Sequence, residues 1–169
     1  MTAIVRYISS IIERVMHLFH RNYDSVIFLD FDGVLLPITD EEEVARDYYG
    51  VLFNSECTQN LNSLIETTNA KIVVTSSWRQ YLSLWKLRMM WRRRNMLGEI
   101  LDVTPVMSIY RGNEIDAWLR RNRPMCYVII DDMDSRQFCE HHAHHLVTCN
   151  GRVGLTKTDV QNAITKLMK

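Results

Sequence analysis

The chain has 169 residues, which is the size of one ordinary domain and too short for two independent folding units. Apolar residues make up 47% and charged residues 24%, a composition that excludes an intrinsically disordered chain. Lysine and arginine together number 20, as do aspartate and glutamate, so the net charge is zero. Any attraction to a polyanion must therefore come from local clusters of cations and not from an overall field.

The cysteines and the start of the chain bear on the cellular compartment. Four cysteines are scattered along the chain without a CxxC pair: Cys57, Cys126, Cys139 and Cys149. The first residues do not follow the pattern of a secretory signal peptide. Together these features predict a reducing, cytoplasmic location.

Residues 1–22 carry apolar side chains at helical spacing, beginning with Ile4 and continuing to Phe19. Charged residues such as Arg6, Glu13 and Arg14 interrupt the run, so it is not a membrane span. The pattern predicts an amphipathic helix, separate from a folded domain over 23–169. Its apolar stripe could dock on that domain, contact a protein partner or a second copy, or lie on a membrane surface.

The rest of the chain alternates between strand and helix patterns. Apolar runs predict strands over 26–29, 71–75, 126–130 and 146–148. Periodic segments predict helices over 55–69, 81–95, 113–122 and 158–168, and a short helix over 135–142. We expect Ser55 to cap the first helix and Gly98 to terminate the second. The alternation predicts a three-layer, Rossmann-like α/β fold, with a parallel sheet covered by helices on both faces.

Three of the predicted strands end in polar residues. Asp30 and Asp32 follow the first of these strands, Thr75 and Ser76 end the second, and Asp131 and Asp132 follow the third. Because ligands of parallel α/β sheets bind beyond the carboxyl ends of the strands, these side chains should converge on one small volume.

Four acids gathered at one sheet edge repel each other unless a cation compensates them. Oxygen ligands without histidine or cysteine favour Mg²⁺, which commonly binds one or two carboxylates together with a substrate phosphate. We expect Asp30 to be a nucleophile that forms an aspartyl-phosphate and Asp32 to be the general acid and base. Thr75 and Ser76 could hold phosphate oxygens, while Arg111 neutralises charge in the transition state.

The same residues resemble three motifs of the haloacid dehalogenase (HAD) superfamily of phosphohydrolases. The motifs are DFDGVL over residues 30–35, the strand that ends in Thr75-Ser76, and IIDD over residues 129–132. The resemblance implies that Asp30 is nucleophile and metal ligand, and that Asp32 adds a backbone oxygen to the Mg²⁺ site. It also implies that Asp132, with Asp131 beside it, completes the metal ligands.

The remaining HAD motif is a cation upstream of the last acidic pair. The resemblance assigns it to Arg111, with Arg120, Arg121 and Arg123 as alternatives.

A narrower resemblance extends over further segments, namely 75–79 (TSSWR), 111–115 (RGNEI) and 154–156 (GLT). They are similar to the HAD domain of bacterial RNA-repair multienzyme ("Swiss army knife") proteins. That resemblance implies processing of phosphates at RNA or DNA ends, with Ser77 and Arg79 as candidate substrate-binding residues.

The spacing between motifs leaves no room for a large cap domain, since only about 20 residues separate Arg111 from Asp131. An open site favours a macromolecular substrate. The nearby segment 85–94 alternates basic side chains such as Arg92 and Arg93 with two tryptophans. This pattern suggests that the arginines contact phosphates and that a tryptophan stacks on a nucleobase. The same segment could instead be a packed helix with a solvated basic face.

Several functions remain compatible with these patterns. The first is a phosphatase acting on nucleic-acid ends, and the second is one acting on a nucleotide or a phosphoprotein. The third is a catalytically silent binding domain that keeps the fold. A cluster of four histidines, His141, His142, His144 and His145, could bind a transition metal, but we expect it to be a polar helix end near the surface.

Overall fold

The computed structural model describes residues 24–40 and 44–168. The predicted amphipathic helix over 1–22 lies outside the described residues, as do residues 41–43.

Seven strands and four α-helices are present in the described part of the chain. The strands are β1 (Ser25–Leu29), β2 (Arg46–Asp47), β3 (Gly50–Val51), β4 (Lys71–Val74), β5 (Ile100–Val103), β6 (Cys126–Asp131) and β7 (Leu146–Thr148). The helices are α1 (Ser55–Thr68), α2 (Leu84–Arg93), α3 (Arg111–Asn122) and α4 (Lys157–Leu167). Three short 3-10 turns are formed by Ser77–Gln80, Ser135–Gln137 and Glu140–His142.

The main sheet has five strands in the order β5-β4-β1-β6-β7, and every neighbouring pair is parallel. Strand β1 lies at its centre, where Leu29 pairs with Val74 on one side and with Ile130 on the other. Residues 26–29 are fully buried because helices cover both faces of the sheet, which explains why the strand reads as a continuous apolar run.

The helices form two layers around this sheet, as the alternating pattern predicted. Helices α1, α2 and α4 pack on the face that receives Ile27 and Leu29. Helix α3 packs on the opposite face, where Trp118 contacts Phe28 edge to face with ring centroids 5.3 Å apart. The structure therefore confirms the predicted three-layer α/β fold.

Two predicted helix boundaries are wrong. Helix α1 is capped by Asn54, whose side chain accepts hydrogen bonds from the amides of Glu56 and Cys57. Asn and Ser are similarly good N-cap residues, so the sequence does not show which of Asn54 and Ser55 takes the extended backbone conformation of the cap. Helix α2 ends at Arg93, and the left-handed residue that follows is Asn95, with φ of 53°, instead of Gly98.

Other elements were not predicted. Strand β5 contains an acid, Asp102, and lies at the sheet edge, so it has no continuous apolar run. The antiparallel pair β2-β3 has two residues in each strand, which is too short for a periodic signal. The predicted helix over 135–142 is replaced by two 3-10 turns.

The described residues hold no cap domain. Between Asp32 and Thr75 they contain only the β2-β3 hairpin, helix α1 and strand β4, and between Arg111 and Asp131 only α3 and β6. No helix in this part of the chain is both long and apolar enough to cross a bilayer.

Candidate active site

The register of the central strands brings the three sequence motifs to one edge of the sheet. The amide of Asp30 donates to the carbonyl of Ile130 at 3.1 Å, and the amide of Thr75 donates to the carbonyl of Leu29 at 2.9 Å. These bonds continue the β6-β1-β4 ladder past the strand ends. The positions of the motif residues are thus set by the sheet and not by flexible loops.

Three carboxylates lie together at this edge. Asp30, Asp131 and Asp132 each offer an oxygen, and the three oxygens lie within 4.8 Å of one another. Asp30 is 4% exposed and Asp131 is fully buried, whereas Asp132 is partly exposed. Burial of like charges at this spacing is unfavourable unless a cation joins them.

Two glycines make room for the Asp132 side chain. A Cβ at Gly33 would lie 2.0 Å from Asp132 Oδ2, and a Cβ at Gly151 would lie 2.5 Å from the same atom. Gly33 also has φ of +71°, a conformation that other residues rarely adopt. Side chains at positions 33 and 151 are therefore excluded by the carboxylate that completes the acidic cluster.

Arg111 is the cation at the cluster. It begins helix α3, is 7% exposed, and places its guanidinium 3.2 Å from Asp30 Oδ2 and 3.4 Å from Asp131 Oδ2. The alternatives Arg120, Arg121 and Arg123 lie at the far end of the same helix and are exposed.

Burial and charge repulsion act on the acids. Desolvation and the Asp30 charge raise the pKa of Asp131 to about 7, against the opposing effect of Arg111. The same two causes raise the pKa of Asp132. Asp131 Oδ2 is buried without a hydrogen-bond partner among the described residues, although its Oδ1 accepts from the amide of Met133.

The donor set fits a hard divalent cation. All three candidate ligands are carboxylates, and one of them holds a buried oxygen without a hydrogen bond. Oxygens on opposite sides of Mg²⁺ lie about 4 Å apart, and carboxylate oxygens no more than 4.8 Å apart can therefore share one such ion.

Asp32 lies beside this cluster but does not join it with its side chain. Its carboxylate accepts from the Ser77 hydroxyl at 3.4 Å and from Trp78 Nε1 at 3.3 Å. Desolvation, followed by the charge of Asp30, raises its pKa, while the two hydrogen bonds lower it. A carboxyl group with a raised pKa, held beside an acidic cluster, is suited to proton transfer.

Thr75 and Ser76 are fully buried at the end of β4. The Thr75 hydroxyl has no hydrogen-bond partner in the part of the chain that the structure describes. The Ser76 hydroxyl accepts from the amide of Trp78 and caps the 3-10 turn that follows. Thr75 thus retains an unused donor near the acids, as a residue that binds a phosphate oxygen would.

Arg79 supports this loop from within the protein. Its guanidinium donates to the carbonyls of Thr75, Ser76 and Thr104 and forms a salt bridge with Glu114. The side chain is 4% exposed. These internal bonds hold the loop after β4 in place, and the contact of Arg79 with a substrate stays a prediction.

A cleft of about 190 Å³ adjoins the acids. The residues that line it include Ser77, Arg79, Arg111 and Met133, together with Val106, Ser108 and Ile109. Several apolar side chains around the cleft are exposed, among them Met107 and Ile109, the latter to 85%. Of the predicted substrate-binding residues, Ser77 and Arg79 both line this cleft, and Ser77 also contacts Asp32.

The structure does not place Arg92 and Arg93 at the acids. Arg92 lines a cleft with Glu99 and Ile100, at the amino end of β5 and thus at the opposite end of the sheet. Arg93 lies over Tyr49 of the hairpin region, with its guanidinium carbon 6.0 Å from the ring centroid. The basic segment is dispersed because the turns of a helix point neighbouring side chains in different directions.

The two tryptophans of that segment differ from each other in exposure. Trp91 is buried and stacks on Phe31, whereas Trp85 is 67% exposed. Arg94 is held by Asp47 at 2.8 Å and is 6% exposed on its side chain. The segment is thus a helix that packs through Trp91 and leaves Trp85, Arg92 and Arg93 exposed, so its contact with nucleic acid stays a prediction.

Sequence reasoning missed three residues that shape the site. Trp78 holds Asp32, and Glu114 holds Arg79. The backbone of Met133 holds Asp131. Trp78 and Glu114 fell inside segments recognised by resemblance, yet nothing in their spacing revealed which partner each would meet.

Three features together define an α/β protein of the HAD type. Acidic residues follow two central strands of a parallel sheet, a glycine turn comes after the first acidic pair, and the helix before the second acidic pair supplies an arginine. The match of a family model is more specific. The family is described as the HAD domain in Swiss Army Knife RNA repair proteins, and its model matches residues 26–160. This chain belongs to that family. Searches of curated proteins and of solved structures found no significant match.

Proposed function

We propose that this protein is a Mg²⁺-dependent phosphatase that works through an aspartyl-phosphate on Asp30 and acts on phosphorylated ends of RNA or DNA. The observation that carries the proposal is the cluster of Asp30, Asp131 and Asp132, whose oxygens lie within 4.8 Å of one another beside Arg111. Family membership supports phosphatase chemistry in general.

The proposed reaction has two steps. An oxygen of Asp30 attacks phosphorus and the bond to the leaving oxygen breaks, while Asp32 gives that oxygen its proton. Asp32, now ionised, then takes a proton from water, whose oxygen attacks phosphorus and releases inorganic phosphate and the free Asp30 carboxylate. The raised pKa of Asp32 supports its protonated state at the start.

The other residues would bind and orient the phosphoryl group. Asp30, Asp131 and Asp132, with the backbone carbonyl of Asp32, would hold Mg²⁺, which supplies positive charge against the phosphate oxygens. Arg111 would neutralise charge that grows in the transition state. The unpaired hydroxyl of Thr75 and the amides near Ser76 would bind the remaining phosphate oxygens.

Two observations favour a polymer end as substrate. The described residues contain no cap domain, so a chain end can approach the acids. The family description refers to RNA repair. Exposed apolar side chains of segment 106–110, beside the 190 Å³ cleft, could contact a terminal base.

The decisive experiment is a substrate panel with the purified chain. Oligonucleotides phosphorylated at either end, mononucleotides, phosphopeptides and a small aryl phosphate are compared with and without Mg²⁺. We expect Mg²⁺-dependent phosphate release that is fastest with one class of oligonucleotide. We also expect Asp30→Asn to reduce it by on the order of 10³-fold or more.

Asp134→Asn is the matched control, because Asp134 is an exposed carboxylate that bonds only locally to Arg136. It should retain full activity. Preferential turnover of mononucleotides or phosphopeptides would instead indicate the second function. A folded, Mg²⁺-loaded protein that hydrolyses no phosphate ester would show a silent binding domain.

A further inference from the structure

A second cluster of potential ligands lies between helix α3 and the loop that follows β6. Asp116, Cys139, His141 and His142 each offer one ligand atom, and these atoms lie within 4.8 Å of one another. Asp116 comes from α3, whereas the other three come from the loop that ends in the 3-10 turn Glu140–His142.

The separations within this cluster suit a small tetrahedral ion. His141 Nε2 and His142 Nε2 lie 2.9 and 3.2 Å from Asp116 Oδ1, and Cys139 Sγ lies 3.6 Å from Asp116 Oδ2. Ligand atoms around tetrahedral Zn²⁺ are roughly 3.3 to 3.8 Å apart, given bonds of about 2.0 to 2.3 Å. A slight expansion of the present arrangement would admit the ion.

His142 is the residue that points to a ligand. Its side chain is fully buried, and its Nε2 has no hydrogen-bond partner among the described residues, since the approach to Asp116 lacks hydrogen-bond geometry. An imidazole nitrogen without a hydrogen bond, clustered with a thiol and a carboxylate, is placed to bind a metal.

The other nitrogen of His142 is already held. Nδ1 lies 3.0 Å from the hydroxyl of Tyr127, which can accept its hydrogen. With Nδ1 as the donor in this bond, Nε2 has the lone pair that binds a metal, and outer partners of metal-bound histidines commonly accept in this way. Tyr127 is itself positioned by stacking on His145, with ring centroids 4.0 Å apart.

We propose that Asp116, Cys139, His141 and His142 form a structural Zn²⁺ site. A thiolate and two imidazoles select a softer ion than the oxygen-only cluster at Asp30 does, so the two sites should divide Zn²⁺ and Mg²⁺ between them. Four protein ligands leave no open position for a substrate, which is typical of structural zinc. Binding converts the Cys139 thiol to a thiolate and releases its proton to water.

The site would fasten the loop over 135–142 to helix α3. The loop backbone already approaches α3 so closely that a Cβ at Gly112 would lie 2.6 Å from the amide nitrogen of Cys139. Arg111, the cation at the acidic cluster, is the neighbouring residue on the same helix. The metal would thus fix the helix that positions Arg111 without touching the reacting groups.

The test is the metal content and spectroscopy of the full chain. We expect about one Zn²⁺ per protein after dialysis. The Co²⁺-substituted protein should show the strong visible bands of tetrahedral cobalt and a thiolate charge-transfer band. Cys139→Ser and His142→Gln should each lose most of the zinc, whereas the exposed His144→Gln should keep it. Asp30→Asn should also keep it, because the acidic cluster is a separate site.

Two further measurements guard against variants that fail to fold. X-ray absorption of the unaltered protein should show one sulfur and three nitrogen or oxygen neighbours around zinc. Tyr127→Phe, which removes only the outer hydrogen bond, should weaken zinc affinity by about 10-fold or more. Octahedral Co²⁺ spectra without a thiolate band, or full zinc retention by His142→Gln, would overturn the proposal.

Discussion

Asp131 is the most deeply buried acid of the site. It is fully buried, one of its oxygens has no hydrogen-bond partner in the described residues, and its pKa is raised to about 7 by desolvation and by Asp30. The folded protein therefore retains a proton that the unfolded chain releases near its ordinary pKa. Stability of the Mg²⁺-free protein should fall as pH rises from about 4 to about 7, because the unfolded state binds fewer protons there.

Replacing Asp131 with Asn should remove this effect. In Mg²⁺-free buffer at pH 8, we expect Asp131→Asn to have a higher Tm than the unaltered protein, since the neutral amide needs no proton. At pH 5 the two should differ little, because Asp131 is then protonated. Added Mg²⁺ should raise the Tm of the unaltered protein only. Equal Tm values at pH 8 would show that the carboxylate is compensated without a metal.

Glu114 is the buried partner of Arg79, which in turn holds the loop after β4. It forms a buried salt bridge with Arg79, and its other oxygen accepts from the amide of Met107 at 3.0 Å. Glu114→Ala would leave Arg79 as an unpaired buried charge, so we expect a loss of about 3 to 5 kcal/mol in the free energy of unfolding. Urea denaturation measures this change.

The control for this prediction is the exposed pair of Lys71 and Glu99, whose side chains are 38% and 56% exposed. Glu99→Ala should cost at most about 1 kcal/mol, because water screens that pair. Similar losses for the two variants would contradict the role assigned to Glu114.

At the scale of elements, the sequence revealed the central strands because burial on both faces requires uninterrupted apolar residues, as in Val26–Leu29. It did not reveal β5, whose Asp102 is satisfied by the indole of Trp118 at 2.8 Å, a contact between distant residues. The acids at the strand ends were predictable because they directly follow these apolar runs. The pairing of Asp116 with Cys139 was not, since it depends on which face of α3 meets the following loop.

Helix α3 gives an element-scale prediction through Gly112. Alanine normally stabilises a helix interior by up to about 1 kcal/mol relative to glycine. Here the added Cβ would meet backbone atoms, 2.6 Å from Cys139 N and 2.9 Å from Phe138 Cα. We expect Gly112→Ala to lower stability by about 1 to 3 kcal/mol, because the loop must move away.

Thermal unfolding of Gly112→Ala, with the exposed Arg121→Ala on the same helix as control, measures this change. Arg121→Ala should leave Tm nearly unchanged. A more stable Gly112→Ala protein would mean that the loop does not pack on α3 as described.

At the scale of the whole molecule, charge limits how a nucleic acid can bind. The net charge is zero, and the two arginines that line the cleft beside the acids are paired, Arg111 with Asp30 and Arg79 with Glu114. Among the described residues, this cleft therefore offers no unpaired arginine to a polymer backbone. Recognition should therefore concentrate on the terminal phosphate and its nearest base.

The consequence is a weak dependence of activity on salt and on substrate length. About one or two phosphate contacts give a slope of only about −0.7 to −1.4 for log affinity against log salt on a single strand. We expect kcat/KM for an end-phosphorylated dinucleotide to be within a few-fold of that for a 20-mer, and the double variant Arg92→Ala, Arg93→Ala to behave like the unaltered protein. A steep salt slope that this double variant flattens would instead restore the basic segment as a binding surface. The comparison leaves Arg94 in place, because its ion pair with Asp47 supports the hairpin.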